Sequence, residues 1–302
     1  LEVLKRYRLE IQPEAPLARI RAALESGGKV LWCRNRVAWA VESYKMSQQA
    51  MPALFDYIEL YHSRFRYLDR SLIHRRVIDR FKQPGVPALL ISTQVAEMSL
   101  DLSADLLITD IAPIPSLIQR LGRLNRRATT DDPRPAVIVS LPEESRRFAP
   151  YEHEDITRAE QWLKKVGTCV EGVSQRDLAE SFSEIEGAPP FDVDAAGNCA
   201  PFIGRAGANC GLWRTRPGTT RTDGYTLGVV LEEDLNCHTR RAGHDTIATS
   251  DWVRAHEVSI PSRPEAMRWK RVRGSFVAPA KSVEYDFDQV TKKGTGARWR
   301  EQ

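Results

Sequence analysis

Gln119-Arg120-Leu121-Gly122-Arg123-Leu124-Asn125-Arg126-Arg127 sets Gln119, Arg123 and Arg126 at positions i, i+4 and i+7. On a continuous helix these three share one face, and the spacing predicts a helix over 115–127. A guanidinium is always charged and offers a planar fork of donors, so two of them beside an amide suit a polyphosphate. An arginine set against a γ-phosphate stabilises charge that develops during transfer, an effect of about 10³–10⁵ in rate. The plainer alternative is a solvated basic helix face. Gly122 argues against it, because a glycine inside a helix costs about 1 kcal/mol. Its missing side chain is expected to let this helix approach another backbone closely.

Upstream, Ser92-Thr93-Gln94-Val95-Ala96-Glu97-Met98-Ser99-Leu100-Asp101 follows the apolar run from Ala88 to Ile91. Such a run reads as a buried strand, and open α/β sheets bind ligands at strand carboxyl ends. Ser92 and Thr93 are candidates to cap a helix and, with its N–H groups, to hold a phosphate. Asp101 is a candidate to accept from a ribose hydroxyl or to organise the arginines. The alternative is an ordinary strand–helix turn with a buried aspartate.

Around these stretches helices and strands alternate. Leu17, Ile20 and Leu24 mark one helical face, stopped by Gly27 and Gly28. Val30, Leu31 and Trp32 read as a strand, and Val37, Val41 and Tyr44 as the stripe of the next helix. Tyr57, Ile58 and Leu60 form a second strand that ends at His62. Leu72, Ile73, Val77 and Phe81 have helical spacing, broken by Pro84 and Gly85. Leu106 to Thr109 and Ala136 to Val139 complete the strands. The expected fold class is α/β: a parallel sheet with helices on both faces, plus a smaller irregular C-terminal α+β domain. Helices are expected over 155–166 and 176–182, and short strands in a Gly-, Pro-, Thr- and Arg-rich tail from about residue 188. The implied division is a lobe over 1–142, a helical connector over 143–190 and an accessory domain over 191–302.

The 302 residues are 28% charged and 42% hydrophobic, an ordinary globular composition that excludes a disordered, collagen-like or coiled-coil chain. No apolar run approaches the roughly 18 residues of a membrane span. The first residues, LEVLKRYRLE, lack the apolar core of a signal peptide. Five cysteines, an odd number, argue against a disulfide framework and for a reducing cytoplasm. A net charge of +4 is too mild to indicate a nucleic-acid partner by itself.

The two quoted stretches together resemble motifs V and VI of superfamily 2 helicases. The pattern Gln-x-x-Gly-Arg-x-x-Arg is met in full by Gln119, Gly122, Arg123 and Arg126. The wider phrasing, Thr93 to Glu97 with Ser99-Leu100-Asp101 and then QRLGRLNRR, is similar to the CRISPR-associated helicase–nuclease of type I systems. Val30 to Asn35 with Ala38 and Ala40 resembles that family's motif IV. His62-Ser63-Arg64-Phe65 resembles its LHSRF element, with Tyr61 in place of the leucine. The resemblance covers roughly residues 28–140. It implies the second RecA-like lobe of a motor that moves 3′ to 5′ on single-stranded DNA, recruited by an RNA-guided CRISPR surveillance complex in antiviral defence. It implies ATP and Mg²⁺ bound between two lobes, mainly by the first. Arg123 and Arg126 then face the γ-phosphate, Gln119 orients the site, and Asp101 and Gly122 support it. Ser63, Arg64, Thr93 and Gln94 lie on the nucleic-acid path, and Arg66 and Arg70 thicken its positive patch.

A complete motor also carries a P-loop and an acidic pair for Mg²⁺. Here Gly28-Lys29 is followed by Val30, which has no hydroxyl for the metal. The first lobe is therefore expected upstream or on a separate chain, and this chain alone is expected not to hydrolyse ATP. His244-Asp245, near His238, Asp251 and His256, reads as a surface loop rather than a metal site. Cys199, Cys210 and Cys237 with His238 lack the close pairs of a zinc site. Arg268-Trp269-Lys270-Arg271-Val272-Arg273 and Arg298-Trp299-Arg300 suit a single strand, or equally a strand with its tryptophan turned inward. The rivals are another superfamily 2 helicase, a non-catalytic nucleic-acid binding module, and a nuclease using His244-Asp245.

Overall fold

In a computed structural model of the chain, residues 3–141, 148–167, 171–186, 226–242 and 248–300 are described. Six parallel strands form the main sheet: β1 (Tyr7–Gln12), β2 (Lys29–Cys33), β3 (Ile58–Tyr61), β4 (Ala88–Ser92), β5 (Leu106–Asp110) and β6 (Arg134–Val139). Their order is β1-β6-β5-β2-β4-β3. All residues of β2, β4 and β5 are buried, which requires both faces of the sheet to be covered. The connecting helices are α1 (Leu17–Glu25), α2 (Val37–Ala50), α3 (Tyr67–Lys82), α4 (Val95–Ser99) and α5 (Ile114–Leu121). Gly27 ends the first connection because its φ of +79° is left-handed and a Cβ would lie 2.5 Å from the Gly85 carbonyl oxygen.

The sequence patterns differ from the structure in particular places. β1 was not anticipated; its alternating Tyr7-Arg8-Leu9-Glu10-Ile11-Gln12 pairs along β6 at the outer edge. In α2 the buried side is Trp39, Ala40, Ser43, Tyr44 and Ser47, while Val37 and Val41 are half-buried. In α3 Leu72 is exposed and Asp69 takes a buried place beside Ile73, Val77 and Phe81.

Two further helices, α6 (His153–Val166) and α7 (Gln175–Glu186), follow. Ile156, Trp162, Leu163 and Leu178 join the same hydrophobic core as the sheet. Beyond them come β7 (Thr226–Leu231), α8 (Glu232–Ala242), α9 (Ser250–His256), β8 (Val258–Pro261), β9 (Arg271–Val272) and β10 (Ser275–Ala278). Their strands form one mixed sheet in the order β8-β7-β10-β9. A hairpin of β11 (Val283–Asp288) and β12 (Lys293–Trp299) closes the chain. The irregular tail expected from sequence thus includes two helices and ordered sheets.

The hairpin packs on the outer strand β3. The Ala297 N–H donates to the Arg64 carbonyl at 2.8 Å. The Lys293 ammonium donates to the Ile58 carbonyl at 2.6 Å and lies 3.5 Å from Glu59. This approach needs Gly296, where a Cβ would lie 2.5 Å from the Arg64 carbonyl oxygen. Among the described residues no helix is long and apolar enough to cross a membrane.

Candidate functional site

The carboxyl ends of β2, β3, β4 and β5 carry the residues singled out from sequence. Motif VI begins on α5, but that helix stops at Leu121, with Gly122 as its cap. The single helix expected over 115–127 does not form, so Gln119, Arg123 and Arg126 do not share a helical face. The chain is diverted because the Ala104 N–H donates to the Arg123 carbonyl and the Asn125 N–H donates back to Ala104, at 2.8 and 2.9 Å. Asn125 makes the turn with φ +48°, a left-handed conformation that asparagine tolerates. Gly122 approaches no foreign backbone: a Cβ there would meet the carbonyls of Gln119 and Ile118 on its own helix.

The turn nevertheless brings motif VI onto motif V. Arg123 donates from Nη2 to the Glu97 carbonyl at 2.5 Å. Its Nε is buried and has no hydrogen-bond partner among the described residues. Burial and the neighbouring Arg126 push its pKa down. Arg126 lies 3.4 Å from Asp101, both well exposed. Gln119 is exposed on the last turn of α5. The structure therefore unites Arg123, Arg126 and Asp101, and leaves Gln119 facing solvent.

The residue that pattern reading missed is Arg120, which is 0% exposed. Its Nε donates to Glu97 at 2.9 Å, and Nη1 donates to Thr109 Oγ1 at 2.8 Å, Asn35 Oδ1 at 3.1 Å and the Asp110 carbonyl at 3.2 Å. Nη2 donates to the Tyr151 hydroxyl at 3.1 Å. Burial opposes its charge, but the acidic groups around it outweigh that, Glu97 being the charged partner, and its pKa is raised, so it stays protonated. A signal existed: Arg120 sits among Ile114, Leu117 and Leu121 on the apolar stripe of α5, where a cation needs a buried acid.

On the candidate nucleic-acid side, Ser92 is not a cap. It is fully buried and its hydroxyl donates to the Tyr61 carbonyl at 2.7 Å. Thr93 is 3% exposed. The Gln94 amide donates to the Asn35 carbonyl at 2.8 Å and the Tyr151 hydroxyl at 3.3 Å, so its nitrogen is committed inside the fold. Ser63 and Arg64 are half-buried. Burial and nearby Arg36 push the pKa of Arg64 down. His62 is fully buried, accepts the Arg64 N–H at 3.1 Å, and burial pushes its pKa down to about 3, so it stays neutral. Arg66 does not join a free positive patch: it pairs with Asp234 at 2.7 Å and Asp69 at 3.5 Å, and its guanidinium lies 3.9 Å over the Tyr285 ring.

Trp269 and Trp299 turn inward, their ring centroids 5.2 Å apart, and Trp299 donates to the Pro261 carbonyl. The flanking Arg268, Lys270, Arg271 and Arg273 are exposed. His244, Asp245, Cys199 and Cys210 lie outside the described residues. His256 stacks on Trp252, and His238 meets the same ring at a tilt of 32°. Among the described residues no three His, Cys, Asp or Glu side chains converge to hold a metal ion.

Comparison with known proteins agrees with this arrangement. Residues 26–129 match the family described as CRISPR-associated nuclease/helicase Cas3, C-terminal. A protein named as a CRISPR-associated nuclease/helicase Cas3 in Myxococcus xanthus is 39% identical over 310 residues, covering 99% of this chain and 36% of the relative. The CRISPR-associated endonuclease/helicase Cas3 of Escherichia coli is 38% identical over 133 residues, 39% of this chain and 15% of that protein. The chain thus spans about a third or less of these relatives. The crystal structure of T. fusca Cas3-ATP superposes with a TM-score of 0.64 at 20% identity, over 92% of this chain and 40% of that one. A chain of a pre-nicking CRISPR RNA-guided surveillance complex superposes at 0.58 and 19% identity, over 97% of this chain and 44% of that one. Residues 26–129 thus match a Cas3 C-terminal domain, and almost the whole chain is similar to part of a CRISPR-associated nuclease/helicase Cas3.

Proposed function

We propose that this chain is the second RecA-like lobe (1–142), connector (143–190) and accessory domain (191–302) of an ATP-driven translocase on single-stranded DNA. The observation that carries the reading is Arg123: a half-buried guanidinium with a buried, unpartnered Nε, set beside the Arg126–Asp101 pair. A buried donor without a partner costs free energy, and a phosphate oxygen would satisfy it. Arg123 and Arg126 thus fit the terminal phosphate of ATP, which supplies the phosphoanhydride bond that drives the cycle. Arg123 would stabilise charge on the transferring group, Asp101 would keep Arg126 in place, and Gln119, at the open end of α5, would orient the water side. Gly122 would let the chain leave the helix between them.

The P-loop and the carboxylates for Mg²⁺ belong, on this reading, to a first lobe upstream or on another chain, so this chain alone has no useful turnover. Ser63, Arg64 and Thr93 would grip the strand. Gln94, tied to Asn35 and Tyr151, would link that grip to the arginine site. An RNA-guided CRISPR surveillance complex is the proposed recruiter and antiviral defence the proposed setting.

The test is strand-stimulated ATP turnover by the chain alone and mixed with a P-loop lobe from the same source. Turnover in the mixture only, lost in Arg123→Ala, is the expected result. Turnover by the chain alone would overturn the half-motor reading.

A further inference from the structure

Between the carboxyl end of β3 and the start of α4 lies a cavity of about 570 Å³. Tyr61 and Val95 line one side of it. The other side is a single stripe of α3, with Tyr67, Arg70, His74 and Arg75 at helical spacing. Tyr67 is 54% exposed, and the Arg70 guanidinium stands 5.7 Å over its ring. Arg75 is exposed. Among the described residues neither Arg70 nor Arg75 has a carboxylate within ion-pair distance, whereas Arg76 and Arg80 of the same helix both bind Glu59. Asp79 is the one lining carboxylate; it lies one helical turn beyond Arg75, without forming an ion pair with it, and 12 residues, about 18 Å, along the helix from Tyr67.

The position of the cavity gives it meaning. Tyr61 directly precedes His62-Ser63-Arg64, and Val95 directly follows Thr93-Gln94. The two elements of the proposed nucleic-acid path leave the sheet along the same wall of one opening, facing α3. An exposed aromatic ring with uncompensated cations beside it is the chemistry that holds single strands, rings taking bases and cations taking the backbone.

We propose that this cavity is a base-stacking subsite for a single-stranded polynucleotide, in which Tyr67 takes a base and Arg70 and Arg75 take the flanking phosphates. The subsite rests on the path proposed above and extends it along α3, outside the motifs.

The test is fluorescence anisotropy of the chain with a labelled oligothymidylate and with a strand of the same length carrying abasic sites. Tyr67→Ala is expected to weaken binding to the thymidylate about 5- to 150-fold, the equivalent of about 1–3 kcal/mol for one stacked base. Tyr67→Phe retains affinity, and Tyr67→Ala makes no further difference on the abasic strand. Arg75→Ala lowers the slope of log affinity against log salt by about 0.7, one single-strand phosphate contact. If Tyr67→Ala and Arg75→Ala bind like the parent while Arg64→Ala is weak, the subsite is overturned and the path survives. If Arg64→Ala also binds like the parent, both readings fall. Loss of a protein partner with unchanged oligonucleotide affinity would make the surface a protein interface and overturn the subsite too.

Discussion

Arg120 and Arg123 stand one turn apart and hold opposite roles. Every nitrogen of the Arg120 guanidinium has a partner inside the fold, and the side chain is sealed from water. Arg123 is half-open, and its Nε lacks a partner among the described residues. Arg120→Met is expected to leave Glu97 buried without its cation and to destabilise the chain by about 3–5 kcal/mol, read as a lower urea midpoint. Arg123→Ala forfeits one hydrogen bond, so its stability loss is expected to stay near about 1 kcal/mol. In the assembled motor the same change is expected to lower turnover by about 10³-fold or more. Arg123, Arg126 and Asp101, proposed above for the phosphate, were singled out in sequence by residue type and motif spacing, and the structure brings them together. Arg120 was not singled out, since its partners Asn35, Glu97, Thr109 and Tyr151 are scattered over the chain and only the fold assembles them.

Among the elements, the central strands were the most legible. β2, β4 and β5 are short apolar runs, and burial on both faces leaves no other pattern possible. The edge strand β1 was hidden by its polar residues; α2 was read as a helix, but Ser43 and Ser47 pack where valines were expected. The end of α5 was misjudged because nothing local in QRLGRLNRR reveals the pairing of Ala104 with residues 123–125. That pairing bends the chain through Asn125, so Asn125→Gly is expected to be tolerated. Asn125→Val is expected to cost about 1–2 kcal/mol, the penalty of a left-handed β-branched residue. Differential scanning calorimetry measures the cost, and the turnover of the mixed lobes reports whether Arg123 has moved with it.

At the scale of the whole molecule, the lobe and the C-terminal hairpin are tied by buried charge. Burial pushes the pKa of Lys293 down to about 8, partly offset by Glu59. The unfolded chain holds that proton to about pH 10.4. Between these values the unfolded state binds more protons, so this group's contribution is full above pH 10.4 and is lost as pH falls through about 8. Urea midpoints taken from pH 7.5 to 9.5 are expected to show a rising component that Lys293→Met removes. The hairpin has one more consequence. β3 is the last strand of the sheet, and a strand in that place is a template for any other chain with unpaired amides. Lys293 and β12 lie against that border, with Ile58 and Arg64 already engaged. A shortened chain that stops after residue 142 would present this border bare. Light scattering is expected to show such a fragment self-associating through strand addition, while the 302-residue chain stays monodisperse. On this expectation the β11–β12 hairpin serves as an intramolecular guard against polymerisation.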